Sequence, residues 1–375
     1  MSLVAIDDVR EVVRENIDEI EKGRRLPDAV VESLRRSGLN RMAIPAELGG
    51  LEASVPDTAD AIAAISAVDG SAGWCAAIGA GSNVFAGYLP EDGAREVFAD
   101  PDQGNATMFA PAGTVEADGR YGELSGRWPF TSNCLHSMWA GLGAFVRHGD
   151  EQEPAPRVVF VPVDDLTIED TWSAPGLRGT GSHHVSAQAV DVDLERSCRF
   201  SDTAWPAGAL WRLPIYTLLI PMLASVPIGI ARGAVDDVLA LAREGRNARR
   251  GNLHEDPVGM AELAVIDTNL RAVTALLRES LEEARAVVDR GDDVDRRLQA
   301  RILLTGMRAC DVAVETTSAA HALGGGAAVY DGSRLLRALL DVQTGRQHLL
   351  FGHQHRPALA AAVAGRDVTY PPFLM

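Results

Sequence analysis

Val185-Ser186-Ala187-Gln188-Ala189-Val190-Asp191-Val192 is the stretch whose reading decides the architecture. It alternates at close to period two, as a strand with one covered face does. Arg157-Val158-Val159-Phe160-Val161 reads the same way, and Ala117-Asp118-Gly119 supplies a turn. From residue 105 to 205 such short runs recur between Gly, Asp and Pro, which predicts a small β domain. On both sides the period changes to that of a helix. Asp7 to Lys22, Asp28 to Ser37 behind Pro27, Thr58 to Val68 and the run from Ala72 read as helices, with Ile44 to Gly50 a loop. After Pro206, an apolar segment and the amphipathic runs Pro257 to Val288, Leu298 to Leu323 and Leu335 to Phe351 predict a four-helix bundle. The expected fold is α+β. Its parts are an N-terminal helical domain (1–104), a middle β domain (105–205) and a C-terminal helical bundle (206–375).

A chain of 375 residues is too long for one ordinary core and suits two or three packed domains. Its formal charge of −17 repels phosphate backbones and anionic membrane surfaces, which argues against nucleic acid and lipid as partners. A helix N-terminus or a local arginine pair can still bind a phosphate-bearing cofactor. The cysteines Cys75, Cys134, Cys198 and Cys310 are scattered without a C-x-x-C pair, so a zinc site or a disulfide framework is not expected, and a reducing cytoplasm suits the chain. The N-terminus carries acids and no apolar core, unlike a signal peptide. Leu213 to Ala231 lacks charge but contains Pro214, Pro221 and Pro227, which favours a buried, proline-interrupted helix over a membrane span.

Four stretches go beyond architecture: Ile44–Gly50 (IPAELGG), Ser125–Trp139 (SGRWPFTSNCLHSMW), Gly176–Ser182 (GLRGTGS) and Leu323–Phe351. In this order and spacing they resemble the acyl-CoA dehydrogenase superfamily over nearly the whole chain, and within it the flavin-dependent monooxygenases. The resemblance implies a helical domain, a small β-barrel and a four-helix bundle. It also implies FMN or FAD delivered by a separate reductase, O2 as co-substrate, and a homotetramer that shares its flavin sites between subunits. No dinucleotide fingerprint for NAD(P)H is present, in keeping with reduction elsewhere.

In that family an aromatic-x-hydroxyl triplet lies along the flavin ring, and Phe130, Thr131 and Ser132 match it. A flat apolar side chain packs on the ring system, and a hydroxyl or backbone N–H bonds its polar edge. Taken alone, the triplet reads as a strand with one buried aromatic and a surface serine. Related hydroxylases often carry Gly after the serine, where this chain has Asn133. The resemblance makes Ser182 a flavin neighbour, whereas a Gly-rich loop by itself is usually a turn. Within Arg246-Asn247-Ala248-Arg249-Arg250-Gly251, the resemblance assigns Arg249 to the flavin phosphate; the plain alternative is a solvated helix end.

Tyr330-Asp331-Gly332-Ser333 imitates the box in which many acyl-CoA dehydrogenases keep a catalytic glutamate, which would make Asp331 a base. The dehydrogenase box, however, lies well beyond the glycine turn and an R-D pair whose counterpart here is Leu340-Asp341. Counting from Asp341 to the carboxylate position reaches His348, and Arg346 to Gly352 contains no acid. The hydroxylases carry histidine there, in a D-V-x-T-x-x-x-H pattern that Asp341 to His348 matches, although they often have a second histidine at Gln343. Imidazole can donate or accept a proton near neutral pH, as an oxygenated flavin or a phenol requires; the bland alternative is a core histidine. His136 falls where hydroxylases often have a histidine and is assigned to the substrate pocket. His353 and His355 lack acidic or thiol companions at ligand spacing, so no metal is expected. The leading expectation is a hydroxylase acting on an aromatic or polyketide-like compound. A dehydrogenase using Asp331 and a non-catalytic binding module are the alternatives.

Overall fold

The computed structural model describes residues 5–243 and 253–366. The chain forms two compact units. One comprises Met1–Ser54, Cys75–Ser173 and Arg178–Ile215; the other comprises Val55–Trp74, Ala174–Leu177 and Tyr216–Met375. Helices come first in the chain: α1 (Ile6–Glu15), α2 (Ile17–Gly23), α3 (Asp28–Arg36), α4 (Val55–Ser66), α5 (Gly70–Asn83) and α6 (Glu91–Val97). Strands follow: β1 (Ala106–Asp118), β2 (Tyr121–Thr131), β3 (Trp139–His148), β4 (Glu151–Gln152), β5 (Arg157–Pro162), β6 (Thr167–Glu169), β7 (His183–Asp193) and β8 (Ser197–Cys198). The rest is helical: α7 (Ile215–Arg243), α8 (Pro257–Asp289), α9 (Arg296–Gly324), α10 (Arg334–Gly345) and α11 (Arg356–Val363). This is the helical, β, helical order expected from the pattern.

In the first unit the strands make one sheet in the order β6-β7-β2-β1-β3-β5-β8, with β4 on β3. Neighbours are antiparallel except β1 and β3, which run parallel. The core of the sheet gathers around Trp128, which is fully buried with Val115, Leu124, Leu142, Val146 and Val185. The Trp128 indole N–H donates to the Gly143 carbonyl at 2.8 Å, satisfying its one polar atom. Glycines make room for the ring: a Cβ at Gly113 would stand 2.2 Å from it, and one at Gly126 2.7 Å. The first expected helix divides at Asn16, whose side-chain amide donates to the Val12 carbonyl at 2.8 Å and so competes with the helix ladder.

In the second unit α9 packs against α8, α10 and α11. Asp256 and Asp295 cap α8 and α9 by accepting the Val258 and Leu298 N–H groups at 3.0 and 2.7 Å. Helix α7 continues through Pro221 and Pro227 and is buried, as the prolines suggested; it is the one described helix long and apolar enough to cross a membrane. Gly229 and Gly233 let it press on α4 and the residue after it. A Cβ at either would meet the Ala63 or Ala67 carbonyl oxygen at 2.2 or 2.3 Å. The expected helix from Leu335 to Phe351 stops at Gly345 instead. Beyond it the bonds shorten to Gln347 N–H to Thr344 and His348 N–H to Gly345, and His348 (ψ 137°) leaves the helical region.

Trp128→Ala deletes the largest fully buried side chain from a slot walled by glycines that cannot collapse around it. It should destabilise the first unit by roughly 3–5 kcal/mol in denaturant unfolding. A loss below about 1 kcal/mol would mean the ring is not the centre of this core.

Candidate active site

Strand β2 ends irregularly, and its register with β7 slips between Trp128 and Thr131. Phe130 takes φ +61° and Asn133 φ +69°, both in the left-handed region. Among residues with a side chain, asparagine tolerates that region best, so Asn133 adopts a conformation that glycine would also adopt. This accounts for Asn133 at a position where the resemblance implies glycine. The slip reverses the simple reading of the triplet. Phe130 is 61% exposed, and Ser132 is buried at 6%.

The rings of Trp172 and His184 stand nearly perpendicular to Phe130 at centroid distances of 6.5 and 5.7 Å. Trp172 is held from two sides within the unit. Its carbonyl accepts from Arg24 at 2.7 Å, and its N–H donates to His183 Nδ1 at 3.2 Å. Ser132 Oγ lies 2.7 Å from Ser182 Oγ, which in turn lies 2.7 Å from Thr180 Oγ1. All three hydroxyls are buried. The Gly-rich loop thus folds onto the end of β2, and Asn133 N–H donates to the Thr180 carbonyl at 3.3 Å. Ser132 and Ser182, fifty residues apart, are brought together. Thr180 was not singled out in advance, although Thr180-x-Ser182 in the quoted loop carried the signal. Thr131 is fully buried and gives its hydroxyl proton to the Trp128 carbonyl at 3.2 Å.

His136 Nε2 accepts the Leu26 N–H at 3.2 Å, so the imidazole ties the segment after α2 to the loop after β2. Burial, helped by the nearby Arg25 charge, pushes its pKa down to about 4. Arg249 lies outside the described residues.

His348 belongs to the second unit and is described there by itself. It stands three residues beyond α10, with the Trp74 ring at 5.7 Å and Phe351 at 6.3 Å, both edge-on. Leu350 N–H donates to its Nδ1 at 3.3 Å. Burial alone pushes its pKa down to about 4. A neutral ring that accepts at Nδ1 carries its proton on Nε2. Trp74 has no motif that would have found it. The other histidines of the segment have different partners: His353 Nε2 meets Arg346 at 2.9 Å, and His355 Nε2 meets the Leu349 carbonyl at 3.1 Å. Asp331 is exposed on the loop ahead of α10, where its carboxylate is solvated.

The end of β2 and the residue after it thus carry one exposed aromatic side chain, Phe130, and one buried hydroxyl, Ser132, joined to Ser182 and Thr180.

Comparison with known proteins identifies the family. Residues 5–97 match the model of the acyl-CoA dehydrogenase N-terminal domain, and residues 221–353 that of the acyl-CoA dehydrogenase C-terminal domain. An indole-3-acetate monooxygenase from Pseudomonas putida is 31% identical over 350 residues, covering 92% of this chain and 89% of the relative. The oxygenase subunit HsaA of a flavin-dependent monooxygenase from Rhodococcus jostii is 28% identical over 359 residues, covering 92% of each chain. Among solved structures, the 3-HSA hydroxylase from Rhodococcus sp. RHA1 shares the fold with a TM-score of 0.91 at 23% identity, covering 98% of this chain and 97% of that one. XiaF from Streptomyces sp., in complex with FADH2 and glycerol, gives 0.90 at 24% identity, covering 98% and 95%. The chain belongs to the acyl-CoA dehydrogenase family. Within that family it is one of the flavin-dependent monooxygenases, and so an oxidoreductase.

His136 and His348 stay neutral in the folded chain down to about pH 4, whereas an unfolded histidine takes up its proton near 6.5. Between those values the unfolded state binds more protons, so stability rises with pH from 4 to 6.5 and is complete above. Replacing either by Gln should remove one proton from those taken up on unfolding at pH 5. Denaturant unfolding compared at pH 5 and 7 measures this, and an unchanged pH dependence would contradict the burial assigned to that ring.

Proposed function

We propose that this chain is the oxygenase component of a two-component, cytoplasmic hydroxylase that acts on a phenolic or indolic ring. It would take reduced FMN or FAD from a separate reductase and work as a homotetramer. The observation that carries the reading is His348, a neutral imidazole with Nδ1 engaged by a backbone N–H, in the place where a dehydrogenase needs a carboxylate. The exposed position of Asp331 supports the same choice, since a base that removes an α-proton must be desolvated beside its substrate. The named substrates of relatives, indole-3-acetate and resorcinol, favour an aromatic compound.

Phe130 offers its face to the flavin ring, and Ser132 its hydroxyl to the polar edge. Thr180, Ser182 and Ser132 form one hydrogen-bonded row that holds the Ser132 hydroxyl in place. Reduced flavin, when bound, supplies the two electrons that activate O2, one oxygen atom going to the substrate and the other leaving as water. His348 holds its proton at Nε2 and acts as a hydrogen-bond donor to oxygen. To accept a proton at Nδ1 it must first release Leu350 N–H, so removing a phenolic proton is not its task.

His348→Ala should leave flavin binding intact and lower hydroxylation by roughly 10²-fold, the scale of losing one aimed donor in a catalytic site. Oxygen uptake should continue, with hydrogen peroxide released in place of product. His348→Gln, which keeps an N–H donor, should recover part of the loss. Product yield per O2 consumed, with chemically reduced flavin and a phenol or indole panel, is the measurement. Wild-type yield in the alanine variant would remove His348 from the mechanism.

A further inference from the structure

Asp341 is a buried carboxylate, 3% exposed, in the last two turns of α10. The reading of His348 gives it no task. Its surroundings, all within the second unit, do. Oδ1 accepts the Leu177 N–H at 2.6 Å. Oδ2 faces the first residue of α5, where a Cβ on Gly70 would stand only 2.6 Å from it. A carboxylate beside the first residue of a 14-residue helix also meets the positive end of that helix. Asp69 caps the same helix by accepting the Ala72 N–H at 2.9 Å. One side chain on α10 therefore bonds the segment Ala174–Leu177 and packs against the start of α5.

Each piece then reaches the histidine. Helix α5 carries Trp74, one turn after Gly70, and Trp74 is the edge-on partner of the His348 ring. Leu177 is buried with φ +50°, a conformation a branched side chain adopts only when its surroundings enforce it. Its Cδ1 and the Trp74 ring occupy the space where Gly345 has no side chain; a Cβ there would meet them at 3.5 and 3.1 Å. The Gly345 carbonyl accepts the His348 N–H at 3.0 Å, so the turn that aims the imidazole starts from the residue these two side chains enclose. Gly176 completes the fit, because a Cβ on it would fall 2.1 Å from the Leu340 carbonyl oxygen.

We propose that Asp341 is the positioning residue of the His348 site: its carboxylate locks α5, the 174–177 segment and α10 together so that Trp74 and Leu177 close on Gly345 and fix the imidazole. The assignment rests on the reading of His348 as a working side chain, but the two can be tested apart. Asp341 acts through Leu177 and Trp74.

The test is the ring-nitrogen NMR signal of His348 in protein labelled with 15N-histidine, read beside product yield per O2 and flavin affinity. The wild type should show one neutral tautomer with the proton on Nε2. Asp341→Ala should give a mixture of tautomers and a yield lower by roughly ten- to a hundredfold, as expected when a donor moves by about 1 Å, with flavin affinity within about twofold. Asp341→Asn keeps an acceptor for Leu177 N–H but loses the charge at α5, and should fall between. Gly176→Ala should reproduce the tautomer mixing without touching the carboxylate. A folded Asp341→Ala protein with the wild-type imidazole signal overturns the proposal. If that variant does not fold, a wild-type signal in both Asp341→Asn and Gly176→Ala overturns it equally. Mixed tautomers with undiminished yield would uphold Asp341 as the positioning residue and discard His348 as a working one.

Discussion

Residues two apart on a strand face the same side of a sheet, so Trp128, Phe130 and Ser132 would ordinarily share one environment. The left-handed backbone at Phe130 prevents this. Trp128 stays in the core, Phe130 turns outward, and Ser132 turns back in to meet Ser182. A non-glycine residue at that φ costs on the order of 1–2 kcal/mol, and the cost is tolerated because the anchored Trp128 ring and the hydroxyl row fix the chain on both sides. Aromatic face and polar edge exist side by side only because of this slip. The surface proposed for the flavin ring depends on it.

The second unit solves a related problem with charge. His348 must be dry enough to remain neutral and still be aimed. Its ring is enclosed by Trp74 and Phe351, and its Nδ1 is occupied by a neighbouring backbone N–H. Such an arrangement is precise only if the pieces of backbone that carry those side chains are themselves fixed. Helix α10 ends too early to do this, since His348 lies beyond it. The buried carboxylate of Asp341 supplies the missing constraint by bonding backbone that is distant in sequence.

Sequence reading was strongest where a single period or a spacing carried the signal. The β region between two helical ones and the buried, proline-containing helix α7 were both legible. Boundaries were less so. The split at Asn16 and the early end of α10 follow from individual hydrogen bonds that a hydrophobic period averages over. His136 shows a further limit. Its position in a motif marked it for the substrate pocket, whereas the imidazole spends its Nε2 on the Leu26 backbone.

The linear order of residues determined by itself the fold class, the family and the residue types available for flavin chemistry, because these depend on periodicity and on spacing along the chain. The tertiary structure alone decided the exposure of Phe130 and the joining of Ser132 to Ser182 and Thr180. It also decided the task of Asp341. Those outcomes rest on backbone dihedral angles and on contacts between segments fifty to a hundred and sixty-four residues apart. No local pattern encodes such contacts, since they form only once the remaining chain has packed.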